Sequence, residues 1–424
     1  LLNYVHGFQV TGIASLAHIA RDIIRWMDEW LSDRERGGFY ASQDADINLD
    51  DDGDYFTWTV AEAAAVLTED EFKVAALHYD IGEVGEMHHN HAKNVLFVRA
   101  SLEEIGRRLG KSLDDVHALL DSAKQKMYAA RKLRPTPYID KTVYVGWNAL
   151  CIASYLQAAR VLRLESALPF ALRSLDRILT EAWHEEHGLQ HVIAYSDPAA
   201  QRKPLRGMLD DYAYTVIACL DAYEATSDLR YFHFARKIGD AMIERFYDAT
   251  GGGFFDCESE DNALGALTAR RKPFQDSPTP AADPSAAIAL LRLYAFTQDE
   301  SYREKAECTL EVFAGLAAQY GMFAGAYGIA AAMFAQPHTQ IVVIAKDHED
   351  ALAEQLYAAA LQPFALNKSV VRITAGNAVP QSLPPALAAT IPHLPAVRQG
   401  ESAAVICSGF TCQPPISDPA ALQK

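Results

Sequence analysis

The chain has 424 residues, half of them hydrophobic, with 55 acidic residues against 38 Lys and Arg and a formal net charge of −17. Its length permits a large core, and its acidity without a basic stripe excludes nucleic acid and anionic membrane surfaces as expected partners. No apolar run reaches the roughly 18 residues a membrane helix needs, no signal peptide is visible, and six cysteines in so long a chain make no disulfide framework, so a reducing cytoplasm is the expected location.

From Ala20, the stretch ARDIIRWMDEWLSDRERGGFY lies in constant register with ARKIGDAMIERFYDATGGGFF from Ala235. By that register the chain starts within the end of an inner helix, as expected of a fragment lacking its upstream part. After GGFY (37–40) comes QDADINLDDDGDYFTWT, an acidic loop leading into an expected short strand. Thr59 with Glu62 forms a capping-box pattern opening the helix VAEAAAVL, and Ser101 with Glu104 repeats it after an irregular 80–100. The linker RPTPYIDKTVYVG (134–146) then leads into a repeat.

Residues 147–188, 211–252 and 282–321 are copies of one unit: Phe170, Ala171 and Gly188 align with Phe234, Ala235 and Gly252, and Tyr223, Tyr231 and Ala235 with Tyr294, Tyr302 and Ala306. In each copy a mostly apolar helix precedes an amphipathic one, so the first is buried on several sides and the second keeps one side in water. Such hairpins cannot bury their faces alone. Stacked into a ring with an inner and an outer layer they can, which predicts a mainly α toroid over 1–336. Beyond Gln336, QIVVIA, SVVRIT and SAAVICS read as strands and HEDALAEQLYAAAL as a helix, predicting a small α/β appendage over 337–424 packed on the ring.

Chemistry is expected where inner-helix N-termini and the Gly-Gly-aromatic turns meet. The turns GGFY (37–40) and GGFF (252–255) offer Tyr40, Phe254 and Phe255 either as sugar-stacking walls or as packing aromatics after a helix C-cap. Asp44 and Asp46 alternate along an extended stretch and so share a side, where they would divide general acid and base work, while Asp50, Asp51, Asp52 and Asp54 read as a solvated acidic loop. Asp210 and Asp211 stand at a helix start, as caps or as catalytic carboxylates, with Tyr212 beside them and Trp147 and Asn148 at the matching position one repeat earlier. A Trp platform, an Asn donor and Asp acceptors suit a polyhydroxylated ligand. His88, His89 and His91 lack metal-ligand spacing and read as loop residues. Of His184, His187 and His191, one is a candidate proton carrier. Cys407 and Cys412 match neither a redox pair nor a zinc knuckle. No metal or cofactor is expected.

The ordered motifs GGFYASQDAD, YFTWT, KNVLF, GWNAL, LDDYAY, GGGFFD and CSGFTCQPPISDP resemble the thioredoxin-domain-containing family related to spermatogenesis-associated protein 20. The resemblance implies an (α/α)6 toroid similar to N-acylglucosamine 2-epimerases and six-hairpin glycosidases, here without its first helices, and an upstream thioredoxin-like domain as partner. The family's DAD, WN and DYA fall on Asp44 to Asp46, on Trp147 and Asn148, and on Asp211 to Ala213.

Two functions are therefore expected to compete with a pure carbohydrate-binding module. One is a toroid that binds a sugar or sugar derivative in its central cavity and epimerises or hydrolyses it, with Asp44 or Asp46 opposite Asp210 or Asp211. The other is a non-catalytic scaffold serving the thioredoxin-like domain in redox or folding work.

Overall fold

The computed structural model describes residues 1–51, 53–199, 204–259, 269–409 and 411–423. Two units divide the chain, Leu1–Ala41 with Lys141–Lys424, and Ser42–Asp140; the boundary expected near Gln336 falls inside the first.

In chain order, α1 (Leu2–Thr11) and α2 (Ala14–Trp30) begin the first unit. The second unit holds β1 (Ser42–Gln43), α3 (Val60–Val66), α4 (Glu69–Tyr79), α5 (Leu102–Leu109), α6 (Leu113–Arg131) and β2 (Ile139–Asp140). The first unit resumes with β3 (Val143–Tyr144), α7 (Val145–Leu162), α8 (Ala167–Arg177), β4 (Trp183–His184), β5 (Gly188–Leu189) and β6 (Val192–Ala194). Then come α9 (Leu209–Thr226), α10 (Leu229–Phe246), α11 (Ala282–Thr297), α12 (Glu300–Phe313), α13 (Ala317–Tyr320) and α14 (Gly325–Ala335). The C-terminal part comprises β7 (Thr339–Ala345), α15 (Ala351–Leu361), β8 (Lys368–Thr374), β9 (Ala403–Ser408) and β10 (Thr411–Cys412).

The fold is mainly α and of the helical-hairpin toroid type. Helices α7/α8, α9/α10 and α11/α12 are the three hairpins read from the repeat, and their first members pack in succession, α1 on α7, α7 on α9, α9 on α11 and α11 on α14. The inner helices are apolar nearly all round because they are buried nearly all round, as with Ile152, Leu156, Val216, Leu220 and Leu290. Their partners bury one stripe each, such as Phe170, Ala171 and Leu175 on α8 and Tyr231, Ala235 and Ile238 on α10.

One hydrogen-bond device recurs at the start of each inner helix. The turn after each outer helix needs glycine with positive φ, at Gly38, Gly188 and Gly253, and leaves the next peptide N–H buried. Asn148 Oδ1 accepts from Phe39 N at 2.6 Å, Tyr212 Oη from Leu189 N at 2.8 Å, and Asp283 Oδ1 from Phe254 N at 2.7 Å. These three acceptors occupy equivalent repeat positions, so the register legible in the sequence is a register of clamps. Asn148 also donates from Nδ2 to the carbonyls of Phe39 and Tyr144. Asp283 Oδ2, by contrast, is buried with no partner among the described residues, and burial pushes this carboxyl up to about 8.

The C-terminal strands form a sheet in the order β10-β9-β7-β8, with β7 and β8 parallel across α15. An ion pair seats this sheet on the helices: Arg160 donates to the carbonyl of Val370 at 2.6 Å, Glu224 accepts the Val370 N–H at 3.3 Å, and the two side chains pair at 3.2 Å. Although the sequence predicts no disulfide framework, Cys407 and Cys412 are joined by a disulfide, because the β9–β10 hairpin sets them directly opposite each other.

In the second unit Thr59 and Glu62 form the expected capping box, and Thr68 with Glu71 forms another. The strand expected at YFTWT is reduced to one bridge, Trp58 to Asn94, because Phe56 and Thr57 both donate to the Gly53 carbonyl and close a turn instead.

Two predictions follow from the clamps. A Cβ on Gly188 would lie 1.9 Å from Tyr212 Oη at a φ of 71°, so Gly188→Ala is expected to cost on the order of 2–4 kcal/mol in denaturant unfolding. Native Asp283 keeps its proton up to about pH 8, whereas the unfolded chain loses it near 4, so folding loses stability as pH rises between those values. Asp283→Asn is therefore expected to raise Tm at pH 8 and to change it little at pH 4; equal Tm changes at both would show that the acid is not neutral when folded.

Candidate functional site

The β3–β6 pairing brings the residue before Val192 to the start of α7, where Val145 N donates to the His191 carbonyl at 2.9 Å. The first turn of α9 meets the same corner. Asp211, fully buried, accepts from Gly146 N through Oδ1 at 2.7 Å and from Met208 N through Oδ2 at 2.8 Å. Its Oδ2 also meets His191 Nδ1 at 2.8 Å. Since both oxygens already accept backbone N–H groups, the imidazole is the donor, its proton is fixed on Nδ1, and Nε2 has no partner among the described residues.

The bonded Asp211 carboxylate raises His191 above the usual imidazole range against the effect of burial, and Asp210 adds to the rise. Burial, joined by the Asp211 charge and opposed by His191, lifts Asp210 to about 6. Neighbouring groups thus meet with their titrations drawn toward neutrality. Tyr144 lies beside both the His191 ring, at 5.3 Å, and the Trp147 ring, at 4.8 Å, and Trp147 is 46% exposed. An aromatic platform therefore borders an acid/base pair.

Several expected site residues serve the fold instead. Asn148, Tyr212 and Phe254 are buried in the clamps and their turns, with no face left for a ligand. Phe255 carries the Arg270 guanidinium 3.8 Å over its ring, and half-buried Tyr40 faces Lys141. Asp44 and Asp46 stand on an exposed loop of the second unit. Asp44 N donates to Tyr138 O and Asp46 Oδ1 accepts Gly53 N, while Asp51 takes the N–H groups of Ile47 and Asp54, so this loop is braced by its own carboxylates. Asp52 lies outside the described residues. His88, His89 and His91 are exposed; His184 meets Gln190, and His187 is exposed.

Tyr144, the orienting bond to His191 and the clamp at Asp283 went unread in the sequence. A signal existed for Asp283, which aligns with Tyr212 under the same shift that matches Tyr223 with Tyr294. Among the described residues no group of three or more His, Cys, Asp or Glu is arranged to hold a metal, and no helix is long and apolar enough to cross a membrane. The clamps and their turns pack at the inner-helix N-termini, and two cavities, of about 610 and 340 Å3, are lined by residues at the C-terminal ends of α9 and α11.

No family model matches the sequence. Among solved structures, a GH76 α-mannanase from Bacteroides thetaiotaomicron is 17% identical, covering 55% of this chain and 58% of that one at a TM-score of 0.36. Cellobiose 2-epimerase from Bacillus thermoamylovorans is 12% identical over 71% and 72% of the two chains, at 0.34. Among curated proteins, spermatogenesis-associated protein 20 from Homo sapiens and from Mus musculus are each 29% identical over 450 aligned residues, 99% of this chain. The chain spans about half the length of these relatives, 56% and 55%. Over nearly all of its own length, then, the chain is similar to the spermatogenesis-associated protein 20 proteins, as the ordered motifs from GGFYASQDAD to CSGFTCQPPISDP implied.

Proposed function

We propose that the first unit binds a sugar or sugar derivative against Trp147 and Tyr144 and isomerises or epimerises it by proton transfer between Asp210 and His191. The observation that carries this reading is the bond from His191 to buried Asp211, which leaves one imidazole nitrogen for chemistry beside a carboxylate of raised pKa. Asp210 takes the proton from the carbon next to the sugar carbonyl, while protonated His191 gives the proton on Nε2 to the carbonyl oxygen, yielding an enediol. When the enediol turns its other face to Asp210, that acid returns its proton to the carbon while His191 Nε2 takes back the hydroxyl proton. This re-forms the carbonyl, inverts the carbon and restores both groups. Asp211 is a positioning residue that sets the imidazole tautomer. A histidine with one carboxylate favours this chemistry over glycoside hydrolysis, which commonly needs two carboxyl groups flanking the bond. Asp44 and Asp46 have no part in it.

The test is solvent deuterium incorporation at C2 of reducing sugars, followed by NMR. Exchange is expected to rise with pH through about 6 as Asp210 ionises and to fall above the raised titration of His191, giving a bell. Asp210→Asn and His191→Ala are each expected to slow exchange by about 100-fold or more. Unchanged exchange in both variants would remove the assignment. Trp147→Ala is expected to raise KM about tenfold with kcat nearly unchanged, since an exposed platform binds ground and transition states alike.

A further inference from the structure

We infer that the 610 Å3 cavity at the carboxyl edge of β7 and β8 is a second binding site, for a neutral, polyhydroxylated molecule of sugar size. Its volume falls within the range of ligand pockets. The position has its own physical rationale. Strands β7 and β8 are a parallel pair joined through α15, and ligands of α/β sheets bind outside the carboxyl ends of their strands, where the connecting loops diverge. Asp347 and His348 lie just past the end of β7, and Thr374 and Asn377 close or follow β8; all four line the cavity.

The lining also selects the ligand class. Thr374, Asn377, Gln381 and Ser382 bring two hydroxyls and two amides, none of whose side chains hydrogen-bonds to another described residue. Tyr357 supplies a ring and a hydroxyl that accepts from Arg160 Nε at 2.9 Å and keeps its own proton to donate. Charge is already neutralised locally. Arg372 is taken by Glu354 at 3.2 Å and by the His348 carbonyl at 3.0 Å, so it offers an anion little, and Asp228 and Asp347 repel one. Those carboxylates in turn accept backbone N–H groups, of Arg230 and Glu349, at 2.9 Å each, which lessens their pull on a cation. What remains unmet is uncharged donors and acceptors on exposed or half-buried side chains beside an aromatic ring, the complement of a neutral polyol.

The site stands apart from His191 and Asp210, and its test does not depend on them. Saturation-transfer NMR on the whole chain would use methyl α-D-glucopyranoside, methyl α-D-mannopyranoside and myo-inositol, each at roughly 10 mM so that even a millimolar Kd is filled. Glucose 6-phosphate and putrescine serve as anionic and cationic counterparts. With the first site disabled by Trp147→Ala, at least one neutral probe is expected still to bind, and to lose tenfold or more in affinity when Asn377→Ala/Gln381→Ala or the cavity-filling Ser382→Trp is added in that background. Circular dichroism melting of the variants checks that they fold; both alter partly or fully exposed positions. Binding by no neutral probe, binding by a charged probe alone, or neutral binding that survives both cavity variants would each overturn the inference.

Discussion

A buried peptide N–H that follows a left-handed glycine must find an acceptor, and in the first unit this requirement is met three times by the inner helix that comes next. Asn148, Tyr212 and Asp283 differ in chemistry but offer an oxygen at the same place, to Phe39, Leu189 and Phe254. Each clamp ties one hairpin's turn to the following hairpin's inner helix, so successive repeats are fastened by backbone groups as well as by apolar contact. An unmet N–H there would cost about 1–3 kcal/mol, comparable to burying a whole aliphatic side chain.

That requirement also shapes where chemistry can occur. Clamps occupy part of each inner-helix start, and beside them lies the corner where β6 passes α7 and α9. There Asp211 does two things: it satisfies Gly146 and Met208, and it orients His191. A fully buried carboxylate held by two backbone groups is a rigid support, and the half-exposed His191 and Asp210 inherit that rigidity.

At the opposite ends of the inner helices the charges have another duty. Arg292 pairs with Asp221 at 2.8 Å and with Glu224 at 2.7 Å, while Arg160 and Glu224 grip the Val370 peptide from both sides. Burying such charges is tolerable only when each is paired and hydrogen-bonded. The network holds the C-terminal sheet in register on the helices, and that fixed seat is what gives the cavity beyond β8 its defined walls.

The hairpins, their register, the strands after Gln336 and the boundary caps at Thr59 and Ser101 were legible in the sequence, because period and capping are local properties that neighbouring residues set. The sequence also marked Asp210, Asp211 and Trp147 as a cluster, by placing them at equivalent helix starts. It could not say which side chains would be spent inside the wall. Asn148, Tyr212 and Phe254 look like ligand groups until the turns they clamp or build are packed, and Asp44 and Asp46 look like a catalytic pair until their loop folds on itself. Of the three candidate histidines His184, His187 and His191, only His191 is set against a buried carboxylate, where β6 passes the start of α9, and Cys407 met Cys412 only across a hairpin. Local patterns fix which helix or strand forms, whereas the partner of a polar atom and its distance from water depend on segments far away in the chain, and these the tertiary structure alone decided.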